Sequence, residues 1–201
     1  MARIFQIFLF ISLCFQAGHS VAANTELVTI ANSTLSEDQI VPTPEQLKTW
    51  QDDPMGAARK DIFTFTRIAE FIQRRFVEDY AANNAITANP DFVASFKSVF
   101  GSDTLTGDKL SALAEFSALQ FAVDAALYAT YGGRVVFDQS HPMMPVEAYF
   151  EAYKDYATKQ SLVFYDKELE QRWWLSFART NAIDVTPEQV DFSAPWWHKL
   201  G

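Results

Sequence analysis

Between Lys109 and Tyr131 the chain runs for 23 residues with three charged side chains and no glycine or proline. A stretch of this length and composition reads as one helix, about 34 Å long at 1.5 Å per residue. A helix that is apolar on nearly all sides belongs inside a domain, so the remaining segments are expected to pack around it. That requirement predicts an all-α fold: one compact multi-helix domain over residues 43–201.

The flanking segments carry the matching signals. Thr43-Pro44-Glu45-Gln46 is a capping box with proline at the first helical position, starting a short helix that ends near Asp52-Asp53-Pro54. Ile62, Phe65, Ile68, Ala69, Phe71, Ile72, Phe76 and Tyr80 then recur at three- and four-residue steps, one apolar stripe of a long helix. Asn89-Pro90 starts another helix, and "GSDTLTGD" is a loop before the apolar one. Gly132 and Gly133 stop that helix and free the next turn, and Arg134 to Phe137 reads as a short extended link. Arg134 is expected to be pinned to a nearby acid. Pro142 and Pro145 frame the turn into a helix over Val146 to Thr158, with Tyr149, Phe150, Tyr153 and Ala157 inward. Asp166 caps a helix carrying Leu169, Trp173 and Phe177 on one side, and Thr186-Pro187-Glu188-Gln189 repeats the capping box. Residues 23–42 are polar without sustained periodicity and read as a flexible, irregular N-terminal arm; a short strand over Leu27 to Ile30 is the alternative.

The first 22 residues read as a secretory leader. Arg3 precedes a 12-residue apolar run, Ile4 to Phe15, and Ser20-Val21-Ala22 supplies small residues before a cut. The run is shorter than the roughly 20 residues a membrane span needs, and no other segment is expected to span. Leu13 before Cys14 is too bulky for lipoprotein processing. Cleavage removes Arg3 and no acid, taking the net charge from −9 to −10, and removes the one cysteine. A cysteine-free acidic protein sent to an oxidising compartment points to a bacterial periplasm. The negative balance argues against nucleic acid and against anionic lipid as partners, and no stable membrane insertion is expected after cleavage.

Signals for chemistry are few. Asp138, Ser140 and His141 are triad ingredients, yet triads converge in space from different segments and no Gly-x-Ser-x-Gly elbow exists, so His141 before Pro142 reads as a turn residue. With only His141 and His198 after cleavage, no metal site is expected, and no phosphate-binding glycine loop or other cofactor motif occurs. Glu115 and Asp124 stand out because they sit in the most apolar helix. Each is a proton-donor candidate, or the partner of an arginine such as Arg67 or Arg134. Aromatic residues make up 15% of the chain, and adjacent Trp173-Trp174 and Trp196-Trp197 would point about 100° apart on a helix. Tyr149, Tyr153, Trp173, Trp174, Trp196 and Trp197 are therefore the candidate residues of an aromatic face.

Two stretches resemble a known family. "RIAEFIQRRFVEDYAANNAITANPDFVASF" resembles the N-terminal helical region of SurA-type periplasmic chaperones and peptidyl-prolyl isomerases, through Tyr80-Ala81, Ile86 and Asn89-Pro90-Asp91. "LYATYGGRVVFDQSHPMMPVEAY" looks like small secreted SurA-N-like proteins, through Leu127-Tyr128, Tyr131-Gly132-Gly133-Arg134-Val135, Phe137 and Gln139, as does the closing Pro195-Trp196-Trp197. The resemblance covers roughly residues 55–200 and implies a mainly helical fold that holds unfolded outer-membrane polypeptides. The strand-rich parvulin segment is missing, which removes the expectation of isomerase activity. The leading expectation is a non-enzymatic, chaperone-like protein binding extended or unfolded polypeptide through its aromatic face. The rivals are an envelope-glycan hydrolase with two carboxylates roughly 5–9.5 Å apart, and a structural partner of an envelope protein.

Overall fold

The computed structural model describes residues 25–103, 105–138, 141–178 and 182–200. The leader read over residues 1–22, together with Gln139 and Ser140, lies outside them.

The first described segment corrects two expectations. Glu26–Ile30 forms β1 and Ser33–Ser36 forms β2, antiparallel neighbours joined by the two-residue turn Ala31-Asn32. Both turn residues have positive φ, 47° and 63°, which matches the right-handed twist of the flanking strands. Val28, Ile30 and Leu35 point into the main core, so the segment read as a flexible arm is a structural hairpin. On its other side β1 pairs antiparallel with β4, Leu162–Phe164, giving the order β2-β1-β4. A two-stranded ribbon joins β3, Val135–Phe137, to β5, Ile183–Val185. The fold is thus mostly helical with two small sheets, not all-α.

Among the described residues there are six α-helices: α1 Pro44–Gln51, α2 Gly56–Asn83, α3 Pro90–Phe100, α4 Gly107–Tyr131, α5 Val146–Thr158 and α6 Lys167–Ser176. Thr43, Asn89 and Asp166 accept hydrogen bonds from the first-turn amides of α1, α3 and α6, as the capping signals require. The stripe of α2 is buried from Ile68 onward, through Ile72 and Phe76, whereas Ile62 is exposed. Helix α4 packs against α2, α3 and α5, yet only Ala114, Ala118, Val123, Asp124 and Leu127 are buried along it. It is less enclosed than its composition suggests. By length and composition alone it is also long and apolar enough to cross a membrane, contrary to the expectation that no segment is.

Two apolar clusters hold the chain together. The larger joins the hairpin, α2, α4, α5 and Trp173 of α6. The smaller joins Phe96 of α3, Ala114 of α4 and Trp197 of the C-terminal 3-10 turn Trp196–Leu200. The Trp197 indole N–H donates to the Phe92 carbonyl at 3.1 Å, tying the chain end onto α3.

At the end of α4 the glycines play the expected part. Gly132 and Gly133 both have positive φ, and the Gly132 amide donates to the Tyr128 carbonyl. A Cβ on Gly133 would meet the Glu147 side chain at 2.7 Å. The Arg134 Nε donates to Asp184 Oδ1 at 2.7 Å, linking the α4 exit to β5.

Candidate functional site

Along α4, Ser117, Gln120, Phe121 and Asp124 follow at three-, one- and three-residue steps, so they share one face of the helix. That face forms one wall of a cleft of about 370 Å3, within the range of ligand sites. The rest of the lining is Phe96 of α3, Trp196, Trp197 and Lys199 of the C-terminal turn, His141, Pro142 and Met143 from the connection between β3 and α5, and Gln189, Asp191 and Ala194.

The apolar part of the wall is a set of rings meeting edge to face. The Trp197 ring lies 5.4 Å from Phe96 at 82°, and 6.0 Å from Trp196 at 82°. Trp197 is buried, and Trp196 is 38% exposed.

The polar floor centres on Asp124, which is only 2% exposed. Its Oδ1 accepts the Tyr149 hydroxyl at 2.7 Å, and its Oδ2 lies 2.6 Å from His141 Nε2. The other ring nitrogen, Nδ1, is 3.3 Å from the Gln120 side-chain amide. Burial and the Asp124 charge push the Tyr149 hydroxyl well above its ordinary range, so it remains a donor. This chain answers how a carboxylate survives inside an apolar helix: each oxygen has a donor. The expected arginine partners are engaged elsewhere, Arg67 with Glu70 and Arg134 with Asp184. His141 also makes the expected turn, its amide donating to the Asp138 carbonyl.

The six aromatic candidates do not form one face. Tyr149, Tyr153 and Trp173 are buried in the main core, where Tyr153 packs on Phe76 and Trp173. Large rings at helix–helix contacts fill volume, which is why they turn inward here. Trp174 is half-buried and lines a separate cleft of about 400 Å3 with Phe150, Phe177 and Arg134. Only Trp196 and Trp197 reach the cleft under α4.

Glu115 and Asp124 do not come together as a carboxylate pair. Glu115 and Asp124 are nine residues apart on α4, hence on opposite faces, and Glu115 is exposed. Asp191 is the second acid lining the cleft, and its hydrogen bond from Lys199 at 2.8 Å, with Ser193 adding to it, holds its carboxyl well below the usual range. An acid so firmly ionised is a poor proton donor. Among the described residues no cluster of three or more metal-binding side chains occurs.

Sequence reasoning missed Ser117, Gln120, Lys199 and Asp191, and read His141 as a turn residue alone. A signal was available: Ser117, Gln120 and Asp124 are the polar positions of one stripe in an otherwise oily helix. No family model, no curated protein and no solved structure matches the chain.

Proposed function

We propose that this chain is a periplasmic, non-enzymatic polypeptide-binding protein with chaperone-like action, anchoring one large apolar side chain of an extended segment in the cleft under α4. The single observation that carries the reading is the ring-lined cleft with the exposed Trp196 in its wall. A polypeptide flanking its anchor would also cover the exposed Trp196 ring. The polar floor is consistent with binding, because Asp124 directs its hydrogen bonds at Tyr149 and His141. The secretory leader and the SurA-type resemblance support the same reading. Burial of one large side chain contributes about 1.5–3 kcal/mol, so single anchors bind weakly and hold many sequences alike. Light scattering of an aggregating client protein tests this: suppression at several-fold excess supports it, and unchanged scattering sinks it.

A second reading, acid–base catalysis by His141, is favoured by one observation: Asp124 grips one ring nitrogen as carboxylates orient catalytic imidazoles. Hydrolysis of p-nitrophenyl acetate faster than by free imidazole, and lost in His141→Gln, would support it. A rate equal to that of free imidazole removes it.

A further inference from the structure

We infer that the recess where the C-terminal ends of α2, α4 and α5 meet is a second binding site, for a neutral saccharide; this does not depend on the polypeptide reading. The recess encloses about 480 Å3 and shares no lining residue with the cleft under α4. Asp79, Tyr80 and Asn83 come from α2, Tyr131 from α4, and Asp155 and Tyr156 from α5. Its polar groups are already set in place. The Tyr156 hydroxyl donates to Asp79 Oδ2 at 2.7 Å, and the Asn83 side-chain amide donates to the same oxygen at 2.9 Å. The Tyr131 hydroxyl donates to Asp155 Oδ2 at 2.8 Å. All three bonds fall on Oδ2 atoms, so the Oδ1 atoms remain to accept from a ligand. Burial and then Asp155 push the Tyr131 hydroxyl up to about 12, and burial and then Asp79 raise that of Tyr156, so both stay donors. The rings are fixed as well. Phe76 of the main core stacks on Tyr80 at 5.5 Å and meets Tyr156 edge-on at 4.9 Å.

The mixture of groups decides the class of ligand. Two acids against one lysine, Lys159, at the ends of three helices give a negative balance that turns an anion away. A compact cation suits the acids, but Lys159 opposes it and most of a 480 Å3 recess goes unused. A purely apolar ring packs on the tyrosines and strands the carboxylates and amides without partners. A pyranose meets every requirement. Its hydroxyls donate to Asp79 and Asp155 and accept from the amides of Asn83 and Asn84 and from Lys159. Its C–H faces pack on the tyrosine rings, which bury apolar area beside a polar edge.

Backbone-amide NMR titration at high millimolar concentration tests the site. The probes are the methyl pyranosides of glucose, galactose and mannose and N-acetylglucosamine. Glycerol, which has hydroxyls and no ring, cyclohexanol, which has a ring and one hydroxyl, and spermidine, a cation, are the comparators. At least one of the sugars is expected to move the amides of Asn83, Asn84, Tyr131 and Lys159 and to bind about ten-fold more tightly than glycerol or cyclohexanol. Asp155→Ala removes an exposed side chain, so the fold persists, and is expected to weaken that sugar about ten-fold. Five results would each overturn the inference. They are no response to any sugar, shifts confined to other parts of the chain, equal binding of cyclohexanol or glycerol, binding of spermidine alone, and an Asp155→Ala protein that holds the sugar as tightly as wild type.

Discussion

Replacing Tyr149 by phenylalanine removes one hydroxyl from a fully buried position and changes no volume that matters. The lost interaction is the 2.7 Å hydrogen bond to Asp124, a carboxylate with 2% exposure. Hydrogen bonds to charged groups contribute about 1.5–3 kcal/mol, and the acceptor left behind stays buried. Asp124 keeps His141, so the lower half of the range applies, about 2 kcal/mol. That shifts the unfolding equilibrium about thirty-fold and, for a domain of this size, lowers Tm by about 4–8 °C. Urea unfolding followed by circular dichroism reads the change as a lower midpoint with an unaltered slope. Tyr156→Phe is the internal control. It removes a bond of the same length, 2.7 Å to Asp79, at a half-buried site where water can replace the donor, and costs about 1 kcal/mol or less. A Tyr149→Phe protein within 0.5 kcal/mol of wild type, or one less affected than Tyr156→Phe, would refute the claim that Tyr149 holds a buried charge.

Two further outcomes follow from the same structure. Ile30→Ala is expected to destabilise the protein by about 2–5 kcal/mol in urea unfolding, because Ile30 is fully buried; no change would return residues 25–36 to the status of an arm. Of the seven tyrosines, Tyr131, Tyr149, Tyr153 and Tyr156 have hydroxyls pushed above 10, first by burial and then by Asp155, Asp124 or Asp79, with Tyr131 reaching about 12. A folded pKa raised above the unfolded value gives stability that is complete below pH 10 and drains as pH climbs through about 12 for Tyr131 and higher for the others. Phenolate absorbance of the folded protein should therefore show four tyrosines delayed beyond pH 10, released together on unfolding; early titration of all seven would contradict the described packing.

The helices were legible because their signals are local. Thr43-Pro44, Asn89-Pro90 and Asp166 cap the helices they mark, and Gly132-Gly133 ends α4 where a left-handed backbone is needed. The hairpin was legible only in part, through the alternative strand over Leu27 to Ile30 that β1 matches, because its meaning depends on distance: Val28 and Ile30 find their second partner in Leu162–Phe164, more than 130 residues on. Its turn, Ala31-Asn32, also lacks the glycine that usually marks such a turn. The aromatic residues misled for a related reason. A count of rings does not say which way they turn, and Tyr149, Tyr153 and Trp173 turn into the core. Of the site, Asp124 was noticed, but its partner was sought among arginines. The histidine that takes that place lies 17 residues along, past a helix end and a strand, where periodicity carries no information.

The central claim is that the cleft under α4 is where polypeptide binds, and Trp196→Ala tests it most directly. The ring is 38% exposed, so its loss alters the cleft more than the core. Titration of the wild-type and Trp196→Ala proteins with a permanently unfolded, fluorescently labelled polypeptide, with Trp174→Ala as the comparison at the other aromatic cleft, separates the sites. The account predicts affinity reduced about ten-fold or more in Trp196→Ala, at little cost in stability, and unchanged in Trp174→Ala. Equal affinity of wild type and Trp196→Ala, or loss confined to Trp174→Ala, would contradict it.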